Sequence, residues 1–151
     1  MFASKLGTGT SNNFGLSAYW SPKTAGYVPS ISVGWGYSSY DEANTTLVPA
    51  TAAQNWYVGL QWADAFVKGN SLGMAVGQPT FVTAVKSATP NDAGYAWEWW
   101  YKFQVTDHIS VTPAIFYLSN PFGEAGHILA GGSGSDVLTN FGGLIKTTFK
   151  F

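Results

Sequence analysis

Three charged residues, Glu98, Lys102 and Lys146, together with Lys150 near the chain end, fall in stretches where large apolar and small or polar residues alternate. Each lies opposite the large apolar side chains, because successive residues of a strand point to opposite faces. Glu98 is followed at steps of two by Trp100, Lys102 and Gln104, and Lys146 by Thr148 and Lys150. On the lipid side of a membrane strand a lysine at mid-depth costs about 2 to 4 kcal/mol, so these six site residues, Glu98, Trp100, Lys102, Gln104, Lys146 and Lys150, are expected to line a watered lumen. The charges there either solvate the wall or set the charge preference of a pore, as charged rings do in channels. Glu98 and Lys102 stand about 13 Å apart along one strand and are better placed for neighbours on adjacent strands than for each other. Trp100 is the aromatic of this face, able to stack on a sugar ring or to fill space.

Other chemistry is poorly supported. His108 and His127 fall in a tight turn and a long loop, and with no cysteine and no His-x-x-x-His spacing no metal site is expected. Asp41, Glu42, Asp64, Asp92, Asp107, Glu124 and Asp136 are scattered over connections, with no pair spaced for acid/base catalysis. Neither Gly7-Thr8-Gly9-Thr10 nor the glycines beside Ser135-Asp136 stand between a strand and a helix, so no phosphate-cradling loop is expected. The reading is of a protein that is not an enzyme and uses no cofactor.

The elements that must position the site residues are strands, expected near 13–20, 27–37, 55–63, 71–78, 95–106, 109–118 and 141–151. Tyr27, Pro29, Ile31, Val33, Trp35 and Tyr37 share one face of the second, against Val28, Ser30, Ser32, Gly34 and Gly36. The third opposes Trp56, Val58, Leu60 and Trp62 to Tyr57, Gly59 and Gln61, and the fourth opposes Leu72, Met74 and Val76 to small residues until Pro79 stops it. The fifth carries Trp97, Trp99, Tyr101, Phe103 and Val105 opposite Glu98. The last runs at period two to a terminal aromatic, with Phe141, Ile145, Phe149 and Phe151 on one face. Trp35, Trp56, Trp62, Trp97, Trp99, Tyr101, Phe103 and Phe149 are therefore expected to face lipid or sit in its interfacial girdles.

Connections alternate short and long along this series, the pattern of a transmembrane barrel with short periplasmic turns, which puts the C-terminus on the periplasmic side. Seven strands in an up-and-down meander leave the first and last running the same way. They cannot close on each other, and an open edge in lipid strands backbone groups at several kcal/mol each. At least one more strand is required.

Composition agrees with a surface that does not mostly meet water. Charged residues are 10% against about 25% in soluble domains, while aromatics reach 17% and hydrophobic residues 46%. All seven basic residues are lysines, and a net charge of -1 gives no footprint for nucleic acid. No apolar run is long enough for a transmembrane helix. The N-terminus, Met1-Phe2-Ala3-Ser4-Lys5-Leu6, lacks the features of a secretory signal, so either a signal has been removed or the chain is a piece of a longer protein.

Gly69 to Pro79, the motif Trp99-Trp100-Tyr101-Lys102-Phe103-Gln104-Val105-Thr106-Asp107-His108-Ile109-Ser110-Val111-Thr112-Pro113, and the final strand resemble the C-terminal part of the carbohydrate-selective OprB-type porins. The cyanobacterial variety, called iron uptake porins, is the nearer likeness. The resemblance implies an antiparallel up-and-down transmembrane β-barrel of sixteen strands, of which about seven are present. It also implies an outer-membrane homotrimer passing small hydrophilic solutes such as sugars, inorganic ions and iron, preceded in the cyanobacterial members by a periplasmic domain. Phe151 resembles the C-terminal aromatic by which the barrel assembly machinery recognises its substrates. The sequence departs from the family in having no arginine, which leaves the usual basic constriction residues unmatched. Two other readings stay open: a small eight-stranded barrel with a further strand in Phe2 to Thr10, and a soluble sugar-binding β-sandwich.

Overall fold

Alternating large and small side chains, enriched in aromatic and β-branched residues, favour extended chain that presents two unlike faces. The computed structural model describes residues 10–24, 26–40, 50–85, 93–121 and 139–151. Within them run β1 (Ser11–Trp20), β2 (Ser30–Tyr40), β3 (Ala50–Ala63), β4 (Ser71–Val85), β5 (Ala96–Thr106), β6 (Ile109–Ser119) and β7 (Thr139–Phe149). Each pairs antiparallel with the next, giving one sheet in sequence order. Every regular element among the described residues is a strand.

The sheet is a single layer. A soluble sandwich packs two sheets about 10 Å apart and buries large side chains between them. Here the buried apolar residues among those described are three alanines, Ala52, Ala53 and Ala114, and no large side chain is fully enclosed. Phe14, Trp35, Trp99, Phe103, Ile115 and Ile145 are all exposed. Such a face needs an apolar surrounding from outside the sheet.

Several strand limits differ from those the pattern predicts. β4 does not stop at Pro79 but continues to Val85, and β3 begins at Ala50 rather than near 55. The ladder pairs Trp56 with Gln78 but Gln54 with Phe81, so Pro79 and Thr80 together face Asn55. That is a β-bulge, one of the few places where a sheet tolerates a residue with no N–H to donate. The β4–β5 ladder also ends at Gly77 paired with Ala96, so no β5 carbonyl waits for the missing donor.

β2 starts at Ser30, just after Pro29, and the stretch from 27 is instead held by the Trp62 indole Nε1 donating to the Tyr27 carbonyl at 3.0 Å. The connections at 21–29 and 41–49 are consequently nine residues each, and the short-long alternation holds clearly only for 64–70 and 107–108 against 86–95 and 120–138. β7 ends at Phe149, and Lys150 and Phe151 lie past it.

Candidate functional site

Register fixes which side chains share a face. On one side the ladders join Gly34 to Tyr57, Tyr57 to Gly77, Gly73 to Trp100 and Phe116 to Gly142; this is the glycine face. On the other they join Trp35 to Trp56, Leu60 to Met74, Met74 to Trp99 and Trp97 to Tyr117; this is the aromatic face. The predicted partition of each strand survives in all six ladders.

Glu98, Trp100, Lys102, Gln104 and Lys146 lie together on the glycine face. Glu98 stands between Ala75 and Phe116, and Trp100 between Gly73 and Ala114. Lys102 pairs with Ser71; Thr112, the partner of Lys146, lies level with it on β6. The two lysines thus occupy one transverse row two strand spacings apart, about 10 Å. Every charged residue within a described strand, Glu98, Lys102 and Lys146, is on this face. None has a hydrogen-bond or ion-pair partner among the described residues. Gln104 is less free: its amide Nε2 donates to the Thr106 carbonyl at 2.5 Å. Lys150 lies beyond the ladder, where its backbone N–H donates to the His108 carbonyl at 2.8 Å.

Three aromatics on this face lie over glycines of a neighbouring strand. A Cβ on Gly73 would fall inside the Trp100 indole, one on Gly34 inside the Tyr57 ring, and one on Gly142 against the Phe116 ring. The rings are therefore laid along the wall instead of standing off it.

The aromatic face is banded. At the end bearing the 41–49, 86–95 and 120–138 connections run Phe14 and Tyr37, then Trp35 and Trp56, then Trp97, Tyr117 and Phe141. At the other end run Trp20, then Trp62, Tyr101 and Phe103, then Phe149. Both bands step toward the turn end from β1 to β7, as they must if level belts cross tilted strands. Between them on β2 to β4 lie Ile31, Val33, Val58, Leu60, Met74 and Val76. From Trp56 to Trp62 is about 20 Å of strand, the same order as the about 25 Å apolar band of a membrane barrel. Trp99 falls between the bands. Trp35 stacks near Tyr37 with ring centroids at 6.2 Å, Trp97 near Tyr117 at 5.8 Å, and Tyr101 meets Phe103 edge-on at 4.5 Å.

The turn at 64–70 is fastened to β5. Buried Asn70 donates from Nδ2 to the Tyr101 hydroxyl at 3.0 Å and accepts from the Gln104 N–H at 2.9 Å; the Tyr101 hydroxyl donates to the Ala65 carbonyl at 2.8 Å. Gly69 takes a left-handed φ of 90° there, and its N–H donates to the Asp64 carboxylate at 2.7 Å.

A family model described as "Carbohydrate-selective porin, OprB family" matches residues 2–151. The chain belongs to the OprB family. It is 28% identical over 150 residues to an uncharacterized protein, alr4550, of Nostoc sp. (strain PCC 7120), covering 97% of this chain and 23% of that one. It is 31% identical over 134 residues to another, sll0772, of Synechocystis sp. (strain PCC 6803), covering 83% and 23%. The chain thus spans about a quarter of the length of these curated relatives. No solved structure gives a significant match.

For this OprB-family chain, Tyr57 and Phe116 are additions to the residues singled out from sequence on the glycine face. Both could have been flagged as aromatics opposite the apolar side of their strands, but the glycines beneath them emerge only from register. His127, Asp41, Glu42, Asp92, Glu124, Ser135, Asp136 and Gly7 to Gly9 lie outside the described residues. Among the described residues no three His, Asp or Glu side chains group as a metal site.

Proposed function

We propose that these strands are the C-terminal part of the wall of a trimeric outer-membrane porin, with the glycine face toward a watered lumen and the aromatic face toward lipid. Small hydrophilic solutes pass by diffusion, sugars first and inorganic ions including iron with them, and no bond is made or broken. Glu98, Trp100, Lys102, Gln104 and Lys146 contribute to the lumen lining, with Lys150 at its mouth. Trp35, Trp56, Trp62, Trp97, Tyr101, Phe103 and Phe149 form the girdles, and Trp99 faces the acyl chains between them. The C-terminus lies on the periplasmic side, where Phe151 serves recognition by the assembly machinery.

The observation that carries this reading is the segregation of the two faces. All three charges of the described strands lie on one face, while the other holds two aromatic belts with aliphatic residues between. A lysine on the wrong side would cost about 2 to 4 kcal/mol, enough to impose such a partition. Membership of a family described as carbohydrate-selective supports sugars as the first of these solutes. The test is reconstitution of the full-length gene product in a planar bilayer: discrete conductance steps that vary with salt are expected, and a protein that inserts without ever conducting would refute the porin reading.

A further inference from the structure

Trp100 differs from every other tryptophan on the described strands. Its indole lies on the glycine face, set over Gly73 with its Cζ2, Cε2 and Nε1 atoms where a Cβ would be. Its other cross-strand neighbour is Ala114, so neither flanking strand raises a large side chain beside it. A ring laid on a backbone without a side chain offers its opposite π-face outward. Its Nε1 has no partner among the described residues, whereas Trp56 Nε1 donates to Gln78 at 2.6 Å and Trp62 Nε1 to Tyr27. No buried side-chain nitrogen or oxygen of the described residues lacks a partner, so this unpartnered donor is in contact with solvent. One step along the same face on either side stand Glu98 and Lys102, likewise unpartnered.

We propose that Trp100, seated on Gly73 between Glu98 and Lys102, is a pyranose-stacking subsite in the lumen wall. This rests on the glycine face being the lumen face. A pyranose ring has an apolar C–H face and a rim of hydroxyls. The C–H face covers the indole, with weak C–H···π contacts of the kind aromatic faces favour. The hydroxyls at the rim, about 7 Å to either side along β5, meet an acceptor at Glu98 and a donor at Lys102. Acyclic polyols carry the same hydroxyls without a flat face and gain nothing from the indole. A single shallow platform holds a ring only briefly, and a conducting pore needs sites that are favourable to enter and easy to leave. Gly73 is the positioning residue: a side chain there would lift the indole into the lumen.

The experiment measures sugar block of ion current through the full-length protein in a planar bilayer, with maltotriose as the ring-bearing probe and mannitol as the acyclic one. Trp100→Phe keeps maltotriose block within a few-fold. Trp100→Leu, which fills similar space without a π-face, weakens it about tenfold, the loss of one good aromatic stacking contact. Mannitol responds alike in wild type and both variants. Gly73→Val weakens maltotriose block and lowers unit conductance together. Equal maltotriose block in the Leu and Phe variants, or a wild type that conducts ions but shows no block, overturns the subsite while leaving the porin reading intact. Absence of any channel from the wild type instead overturns the porin reading.

Discussion

Ala75 and Val76 are chain neighbours on opposite faces of β4, paired with Glu98 and Trp97 respectively across the β4–β5 ladder. Val76→Lys places an ammonium between the two aromatic belts, and in lipid vesicles it is expected to lower unfolding stability by about 2 to 4 kcal/mol. Ala75→Lys, one residue away, points to the charged face opposite Glu98 and costs less than about 1 kcal/mol, as a solvated pair does. Denaturant unfolding in vesicles measures both; equal losses would mean the two faces do not meet different media, and a larger loss for Ala75→Lys that they have been assigned the wrong way round. This partition was legible in the sequence because a strand's period is fixed at two: Val76 and Trp97 could be placed with the apolar set without knowing their partners. The seat of Trp100 was not legible. It depends on Gly73 lying directly opposite across a ladder, although the two stand 27 positions apart in the chain. The same holds for Tyr57 over Gly34 and Phe116 over Gly142. Asn70 was visible only as a turn residue; its burial under Tyr101 and Gln104 is a property of how the turn folds back on β5.

At the scale of elements, Pro79 is the place where a local rule misled. Proline ends strands because it donates nothing to a ladder, yet the bulge opposite Asn55 lets β4 run on for six more residues. Pro79→Ala is therefore expected to change stability by less than about 1 kcal/mol, since no ladder bond is restored. Met74→Pro, in the part of β4 flanked by β3 and β5, removes a ladder donor with no bulge to absorb the loss and is expected to abolish assembly. Heat-modifiable migration on gels reports both; a folded Met74→Pro barrel would contradict the ladder. β7 supplies the other element-scale prediction. Its Phe149 belongs to the belt at the turn end, and Phe151 lies two residues past the strand. Deleting Phe151 should reduce the amount of protein recovered in the membrane while leaving the unit conductance of each inserted channel unchanged. Unaltered recovery would remove Phe151 from any part in assembly.

For the whole molecule, the seven strands make a curtain with two free edges among the described residues, β1 and β7, which run in the same direction. Lipid cannot satisfy the backbone groups along those edges, so the proposed porin reading requires the curtain to be part of a larger closed wall, in keeping with relatives about four times its length. Strand count and the need for further strands could be argued from the sequence by parity alone. Connection lengths were a weaker guide, because the 21–29 and 41–49 connections are equal. The aromatic belts are the clearer mark of a band across the sheet: spaced alike on β1 and β3, they step together from strand to strand. Their stepping could not be read from any one strand, since it is a relation among registers.

The central claim is that the two faces of β5 meet different solvents, and the absence of cysteine from this chain makes it directly testable. In a cysteine-free full-length protein, single cysteines are placed in turn at Trp97, Glu98, Trp99, Trp100, Tyr101, Lys102, Phe103 and Gln104. Open channels in a planar bilayer are then exposed to a charged, membrane-impermeant methanethiosulfonate. Cysteines at 98, 100, 102 and 104 are predicted to react and step the current down, while those at 97, 99, 101 and 103 leave it unchanged. A flat profile, or block at the odd positions, would contradict the account.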